Sequence, residues 1–333
     1  MVAINLRPSG RRPGGTESVR RAESVKLGSL LVAPTMLVLA VVIVYPILAA
    51  VRQSLYGREG IDPQTGFYTN VDPFVGLKNY AVIFTEAGAR FWNAFYNTVF
   101  LTATSVALET ALGIGMALIM HQALRGRALI RASILVPWSI PTAIVALLWR
   151  WIFNADGVAN AILPGKTLWT TEGFHAQLAV IFAETWKTAP FIGLLVLAGL
   201  QMIPSETYEA AKVDGAGAWR RFVSITLPLV KPALLVAVLF RILDALRMFD
   251  MPYVLIGPHK ESVETLSMLA QDEAMNLSFG PSAAYAVLLF LFVFLVAFTF
   301  VKLLGADVVG DVAPPTSRRM RRKARKRQEV SSS

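Results

Sequence analysis

Six long apolar segments recur along the chain, separated by shorter and more polar stretches. They are residues 30–51, 98–120, 132–149, 176–203, 232–249 and 282–301. A helix needs about 20 mainly apolar residues to cross the hydrocarbon core of a bilayer, and each segment approaches or exceeds that length. The pattern therefore predicts an all-α membrane protein with about six transmembrane helices.

The six segments are not equally apolar. The first and last contain no charged residue, and 132–149 is uncharged but carries Pro137 and Pro141. The other three contain ionisable side chains, namely Glu109, Glu184, Lys187, Arg241, Asp244 and Arg247. Because a charge inside the hydrocarbon is costly, such residues usually pair with one another or serve the function.

Basic residues are distributed unevenly between the connecting segments. With both termini placed in the cytoplasm, the inner segments hold 22 Lys and Arg residues and the outer segments hold 8. This asymmetry follows the positive-inside rule. It predicts a multi-pass protein of the cell membrane whose two termini are both cytoplasmic.

The two ends of the chain account for most of the net charge of +10. Residues 1–27 are expected to be a disordered basic tail and 306–333 a second basic tail, with eight basic side chains in 318–327. Such a run suits anionic membrane lipid at the cytoplasmic surface, or a partner protein. Because the charge flanks a membrane domain, nucleic acid is not an expected partner.

Composition excludes several kinds of site. Only 16% of the residues are charged, below the quarter or so typical of soluble domains. Cysteine is absent and the three histidines, His121, His175 and His259, are far apart, so no metal site and no catalytic group is predicted. The chain also lacks the Gly-x-x-x-x-Gly-Lys-Ser/Thr loop that binds nucleotide phosphates, so it is not expected to hydrolyse ATP itself.

Two features bear on helix packing in the membrane. In 98–120, small residues recur every four positions at Ala103, Ala107, Ala111 and Gly115, a ridge that allows another helix to approach closely. In 176–203, Pro190 cannot donate to the carbonyl of Trp186 and predicts a kink. A kink frees backbone polar groups, which are tolerated only against protein or a water-filled cavity, so it points to a path through the protein.

The loop after the fourth span predicts a short helix. Ser205 is placed to cap it, Ala210, Ala211 and Lys212 favour the helical state, and Gly215 ends it. A helix of about nine residues is not stable alone in water. It therefore needs a surface on which to dock, and its small alanines would let a partner approach closely.

The same loop resembles a known family. Glu209-Ala210-Ala211, Asp214-Gly215-Ala216 and the following Phe222, Ile225, Leu227 and Pro228 are similar to the "EAA" loop of binding-protein-dependent ABC importers. In that family the loop forms a coupling helix that sits in a cleft of the cytoplasmic ATPase. Residues 74–80, 97–98, 186–191 and 241–250 resemble the larger, maltose "F" type of bacterial sugar permease, and the likeness covers about 28–305.

The resemblance implies a heteromeric sugar importer of the bacterial membrane. A second permease subunit would complete the pore, two cytoplasmic ATPase domains would use ATP and Mg, and an external sugar-binding protein would deliver the cargo. The chain itself would bind no cofactor. The coupling loop 204–228 would contact the ATPase through Glu209, Ala210, Ala211, Asp214, Gly215 and Ala216.

Candidates for the substrate path come from the charged spans. Sugar recognition needs hydrogen-bonding groups and a flat apolar face for the ring. Trp186 beside Lys187, and Phe249 beside Asp250, offer both, and Glu109, Arg241 and Asp244 are further candidates, with Trp138 and Tyr253 behind them. The opposing hypothesis is structural pairing: Glu184 with Lys187, Lys187 with Asp244, or a ladder along Arg241, Asp244, Arg247 and Asp250.

Two other functions remain open at this stage. A proton-coupled secondary transporter could use Glu109, Glu184 and Asp244 as a relay, although it leaves the loop 209–228 unexplained. An ABC permease for an anionic cargo such as glycerol phosphate would favour more uncompensated basic residues. Since the membrane charges nearly balance, a neutral sugar is the favoured cargo, and the resemblance implies a disaccharide such as trehalose or maltose.

Overall fold

The computed structural model describes residues 29–57, 73–122, 125–163 and 166–310 of the chain, with side chains up to Leu303. The predicted tail 1–27 lies outside these residues. So do 311–333, including the basic run 318–327.

Helices dominate the described part of the chain, where the one strand-like feature is an isolated bridge between Tyr56 and Phe74. The helices are α1 (Ser29–Gln53), α2 (Lys78–Phe84), α3 (Gly88–His121), α4 (Arg127–Ser139), α5 (Thr142–Ile152), α6 (Val158–Ile162), α7 (Phe174–Gln201), α8 (Ser205–Val213), α9 (Ala218–Ala245), α10 (Asp250–Leu255), α11 (Leu266–Met275) and α12 (Phe279–Gly310). This confirms the predicted all-α membrane fold.

Five of these helices, α1, α3, α7, α9 and α12, are long and apolar enough to cross a membrane, and the pair α4–α5 adds a sixth span if taken together. The prediction of one helix over 132–149 is wrong, because α4 and α5 meet at an angle of 96°. The break lies at Ile140, whose backbone is extended. A residue before proline is driven out of the helical region, so Pro141 explains the break.

The predicted limits of the fifth span are also wrong. α9 begins at Ala218 rather than at 232, and it ends at Ala245 rather than at 249. A π turn at Phe222–Thr226 directly precedes Pro228, and the helix continues through Pro232. Widened turns of this kind are a known site of helix irregularity, and both Pro228 and Pro232 lie within the span.

The chain separates into two compact units, Met1–Gln53 and Ser54–Ser333. The first contains α1, in which a π turn at Ala40–Val44 interrupts the α-helical bonding. The second contains every other helix and all of the sites discussed below.

The most extensive helix contact in the second unit joins α3 and α7. Side-chain contacts pair Asn97 with Gln177 and Glu109 with Thr188, so the two helices run parallel. Further along, a Cβ atom on Gly113 would lie 2.8 Å from the Cβ of Ile192. Glycine is therefore required there, because any side chain would push the two helices apart.

This contact yields a stability prediction. We expect Gly113→Ala to destabilise the protein by about 1–3 kcal/mol, because overpacking forces neighbouring atoms to shift. Gly115→Ala is the matched control on the same helix, since its added Cβ would meet nothing within 4 Å. Melting of the purified protein in detergent measures the effect, and equal melting temperatures for the two variants would contradict the prediction.

Most of the ridge of small residues is exposed. Ala103, Ala107 and Ala111 are exposed and Gly115 is half-buried, whereas the buried face of α3 carries Glu109 and Gly113. The approach of another helix to that ridge stays a prediction, because no helix in the described part of the second unit buries it. The close approach of α3 and α7 uses Gly113 and Gly193. A Cβ atom added to Gly193 would lie 3.2 Å from the carbonyl oxygen of Gly113.

At the Asn97 end of α3, polar side chains attach the segment between α10 and α11. Arg90 donates to both carboxylate oxygens of Glu264, at 3.0 and 2.6 Å, and to Asp272 at 2.8 Å. The amide of Asn97 donates to the carbonyl oxygens of Glu261 and Glu264. These contacts fix α11, and with it one wall of the cavity described next.

Candidate functional site

A buried cluster of charges joins three helices. Arg241 of α9 donates to Glu109 of α3 through Nε, at 2.7 Å from Oε2, and through Nη2, at 3.0 Å from Oε1. The same Nη2 lies 3.0 Å from Oε1 of Glu184 on α7, and Nη1 donates to Oδ2 of Asp244. The planar guanidinium group suits this arrangement, because its donors are fixed in a fork.

Burial separates the members of the cluster. The side chains of Arg241, Glu109 and Glu184 are 3%, 0% and 7% exposed, whereas that of Asp244 is 64% exposed. The hydroxyl group of Thr188 lies 2.7 Å from Oε1 of Glu109. Glu109 therefore receives hydrogen bonds on both oxygens, which is what a buried carboxylate requires.

The structure changes the predicted pairing. Among the described residues, Lys187 forms no ion pair, so the proposed pairs with Glu184 and Asp244 are wrong. The ladder is confirmed at one step only, Arg241 with Asp244. It stops there because α9 ends at Ala245, and Arg247 donates to the backbone oxygen of Leu243 instead.

A cavity of about 750 Å³ lies beside the cluster. Side chains from α4, α7, α9, α11 and α12, with Arg247 just beyond α9, line it: Trp138, Phe191, Phe240, Leu243, Asp244, Arg247, Ser267, Ala270, Ala286, Leu289, Phe290 and Val293. The rings of Trp138 and Phe191 are 5.7 Å apart. The wall thus combines aromatic faces with one carboxylate and one guanidinium, the two kinds of group that sugar binding needs.

The predicted path residues divide into two groups. Asp244 lines the cavity, and Glu109 and Arg241 lie behind it in the cluster. Four others do not line it: Trp186, Lys187, Phe249 and Asp250. Trp186 lies edge-on to Trp149 at 5.9 Å, and the ring of Phe249 stacks on Tyr253 at 4.8 Å, so both are engaged in packing.

Sequence reasoning did not propose Phe240, Phe290 or Ser267 for the cavity, and it did not single out Phe191. Each is an ordinary residue of an apolar span, and only the packing of five helices reveals that they share a wall. Trp138 was a secondary candidate and does lie in the cavity. Its position two residues before the break at Ile140 was the available signal.

Pro190 does not interrupt its helix. α7 runs without a break from Phe174 to Gln201, and Pro190 is buried inside it. The predicted break at Pro190 is therefore wrong, whereas a kink within the continuous helix stays a prediction. A sharp bend does lie between α4 and α5, next to Trp138.

The short helix predicted for the loop after the fourth span is confirmed as α8, Ser205–Val213; its coupling role stays a prediction. The N–H of Gly215 donates to the carbonyl oxygen of Lys212, and that of Ala216 to Ala211, at 3.0 and 2.9 Å. Gly215 has φ of +76°. Together these features form a Schellman motif, in which a left-handed glycine satisfies the last carbonyl groups of a helix. Ser205 is not the cap, since Pro204 precedes the helix and no side-chain cap bond forms.

The faces of α8 differ in what they contact. Ala211 is buried against the chain itself, and Tyr208 is hydrogen-bonded to Thr226 at 3.1 Å. Glu209 and Ala210 are exposed, and Val213 is 89% exposed. The expectation that both alanines face a partner is therefore wrong for Ala211. The outward face presents a carboxylate, a methyl group and an unburied valine.

Comparison with known proteins identifies relatives of the chain. Residues 109–309 match the family of the binding-protein-dependent transport system inner membrane component. The trehalose/maltose transport system permease protein MalF of Thermococcus litoralis is 40% identical over 284 residues, covering 84% of this chain and 92% of that protein. The trehalose transport system permease protein SugA of Mycobacterium tuberculosis is 38% identical over 288 residues, covering 86% and 91%.

A solved structure has the same fold. A chain of a bacterial ABC transporter involved in the import of the acidic polysaccharide alginate superposes with a TM-score of 0.69. The alignment covers 86% of this chain and 99% of that one, at 21% identity. At that identity the likeness concerns the arrangement of helices and carries nothing about cargo.

Proposed function

Because the chain belongs to the family of binding-protein-dependent transport system inner membrane components, and so is a multi-pass permease of an ABC importer, we propose that it forms half of a pore for a neutral disaccharide such as trehalose or maltose. The names of its relatives point to that cargo. The observation that carries the proposal is the cavity, because it places Asp244 and Arg247 among aromatic rings. Such a wall matches the hydroxyl groups and apolar faces of a sugar.

The remaining parts of the importer come from other chains in this proposal. A second permease subunit closes the cavity, two cytoplasmic ATPase domains bind ATP and Mg, and an external binding protein delivers sugar. The chain itself hydrolyses no ATP and binds no cofactor. The outward face of α8, with Glu209, Ala210 and Val213, is the contact for one ATPase domain.

The orientation of the chain in the membrane follows from the proposed contact between α8 and the ATPase. If α8 meets a cytoplasmic ATPase, both termini lie in the cytoplasm, in agreement with the excess of basic residues on that side. The segment around Arg90 and Glu264 then faces outward, at the opposite end of α3 from α8.

A proton-coupled secondary transporter is the second candidate. Its three acids, Glu109, Glu184 and Asp244, do meet in space, but all three meet at Arg241. A fixed guanidinium group among them favours structural pairing over a relay.

A cargo of glycerol phosphate is less suited to a wall whose one cation, among the described residues, is Arg247.

Co-purification and reconstitution test the proposal. The chain is isolated from native membranes with its bound subunits and placed in liposomes. ATP hydrolysis and uptake are then measured with trehalose, maltose and glycerol 3-phosphate. We expect an ATPase and a second permease to co-purify and hydrolysis to rise with one disaccharide and its binding protein. Sugar flux by the chain alone, driven by a proton gradient, would overturn the proposal.

The aromatic wall gives a prediction about affinity. Trp138→Ala should weaken sugar binding by about 0.5–1.5 kcal/mol, the value of an aromatic contact, which is roughly a two- to tenfold rise in Kd. Trp186→Ala is the comparison, because Trp186 does not line the cavity. Binding of labelled trehalose or maltose to the purified complex measures both. A larger effect for Trp186 would restore it as the contact residue.

A further inference from the structure

One acidic residue of the buried cluster differs from the other two in its surroundings. Glu109 and Glu184 are almost fully buried, whereas Asp244 is 64% exposed and belongs to the cavity wall. Arg241 contacts all three. The cluster thus runs from the interior of the protein to the surface that the cargo meets.

The guanidinium group of Arg241 is held from the side away from the cavity. Glu109 takes Nε and Nη2, and Glu184 takes Nη2 as well, so two helices other than its own fix the plane of the group. Paired hydrogen bonds of this kind restrict orientation more than a single contact does. The remaining nitrogen, Nη1, bonds to neither glutamate and donates to Asp244.

Only one of the two carboxylate oxygens of Asp244 accepts a hydrogen bond from the described part of the chain. Oδ2 accepts from Arg241, while no other side-chain or backbone donor in the described part of the chain bonds to Oδ1. An ionised carboxylate oxygen accepts hydrogen bonds only, and a sugar hydroxyl group is a donor of matching geometry. Arg247, three residues after Asp244, lines the same cavity and supplies hydrogen-bond donors to it.

We propose that Arg241 is a positioning residue that fixes the carboxylate of Asp244 at the cavity wall, where Oδ1 accepts a hydrogen bond from a hydroxyl group of a neutral sugar. The inference rests on the proposed function and adds to it the residue that selects for the hydroxyl. Preorganisation is the physical reason, because a carboxylate already held in place loses less freedom on binding. The guanidinium group also offsets the charge of Asp244.

Two substitutions and their combination test this. Asp244→Asn keeps the size of the side chain and removes the charged acceptor. Arg241→Lys keeps one positive charge against the buried acids but loses the fork that reaches Asp244. We expect each to raise the Kd of the purified complex for labelled trehalose or maltose by about tenfold, and the double variant to bind no worse than either single one. Binding is measured without the binding protein, so that Kd reports the cavity.

A deoxy analogue separates recognition from folding. The wild-type complex should bind trehalose more tightly than at least one of its monodeoxy forms, and Asp244→Asn should abolish that difference. A merely structural role would lower the amount of folded protein and leave the ratio unchanged. Asp156→Asn is the matched control, since Asp156 is 89% exposed and pairs with Lys166 outside the cavity.

The outcomes are distinguishable. Wild-type complex that takes up sugar but shows an unchanged Kd in Asp244→Asn overturns this inference and leaves the proposed function standing. Multiplicative effects of Arg241→Lys and Asp244→Asn also overturn it, because they would show that the two act independently. If the Arg241→Lys protein does not accumulate, the inference is tested by the Kd of Asp244→Asn and by the ratio of its affinities for trehalose and the monodeoxy forms. Wild-type complex that takes up no disaccharide overturns both.

Discussion

Arg241→Met should nearly abolish the folded permease. The substitution keeps an unbranched side chain but leaves Glu109 and Glu184 buried without their cation. Removing one partner of a buried ion pair typically costs about 3–5 kcal/mol, because the remaining charge is uncompensated. That is a large fraction of the 5–15 kcal/mol that usually separates folded from unfolded protein. Quantifying the protein in membranes, and its melting after extraction, measures the loss.

A matched variant shows whether the loss of folded protein is specific to the buried cluster. Arg247→Met is the same exchange six positions further on, at an exposed side chain with no ion pair among the described residues. We expect it to accumulate and melt close to the wild type, whatever it does to transport. Normal amounts of stable Arg241→Met protein would show that the cluster contributes little to folding.

Gly215→Pro should uncouple ATP hydrolysis from transport without removing the protein from the membrane. Proline fixes φ near −65° and has no N–H, whereas Gly215 has φ of +76° and donates to Lys212. The native geometry of the α8 terminus is thus lost, at a cost of about 1–3 kcal/mol. Since 1.4 kcal/mol is tenfold, the population of the docking geometry falls by roughly five- to 150-fold.

The measurement compares uptake with ATP hydrolysis in the same liposomes. Basal hydrolysis should persist, while stimulation by the loaded binding protein and uptake should fall together. Gly217→Pro is the control, because Gly217 has φ of −64°, a value that proline adopts without strain. Full uptake by Gly215→Pro protein at normal abundance would argue against a coupling role for α8. Glu209→Ala, on the exposed face, should weaken coupling less.

The coupling helix could be predicted almost residue by residue because its signals are local. Helix-forming residues between Pro204 and Gly215 decide where it starts and stops. The sequence could not show which alanine faces inward. That depends on Tyr208, whose hydrogen bond to Thr226 orients the helix against α9.

The buried cluster shows what the sequence leaves undecided. Spacing of three residues suggested pairs within a helix, and one such pair, Arg241 with Asp244, does form. The buried partners of Arg241 are 132 and 57 positions away in sequence, on α3 and α7. Periodicity fixes the face on which a charge lies, but it does not identify the helix that covers that face.

The two halves of the bent span are each too short to cross the membrane. At 1.5 Å per residue, the 13 residues of α4 and the 11 of α5 extend about 20 and 17 Å, against a hydrocarbon core of about 30 Å. α4 packs on α7, whereas α5 packs chiefly on α10. Since neither half spans the hydrocarbon alone, α5 is held in place by burial, with Val145 and Ala146 packed in one apolar core with α7 and α10.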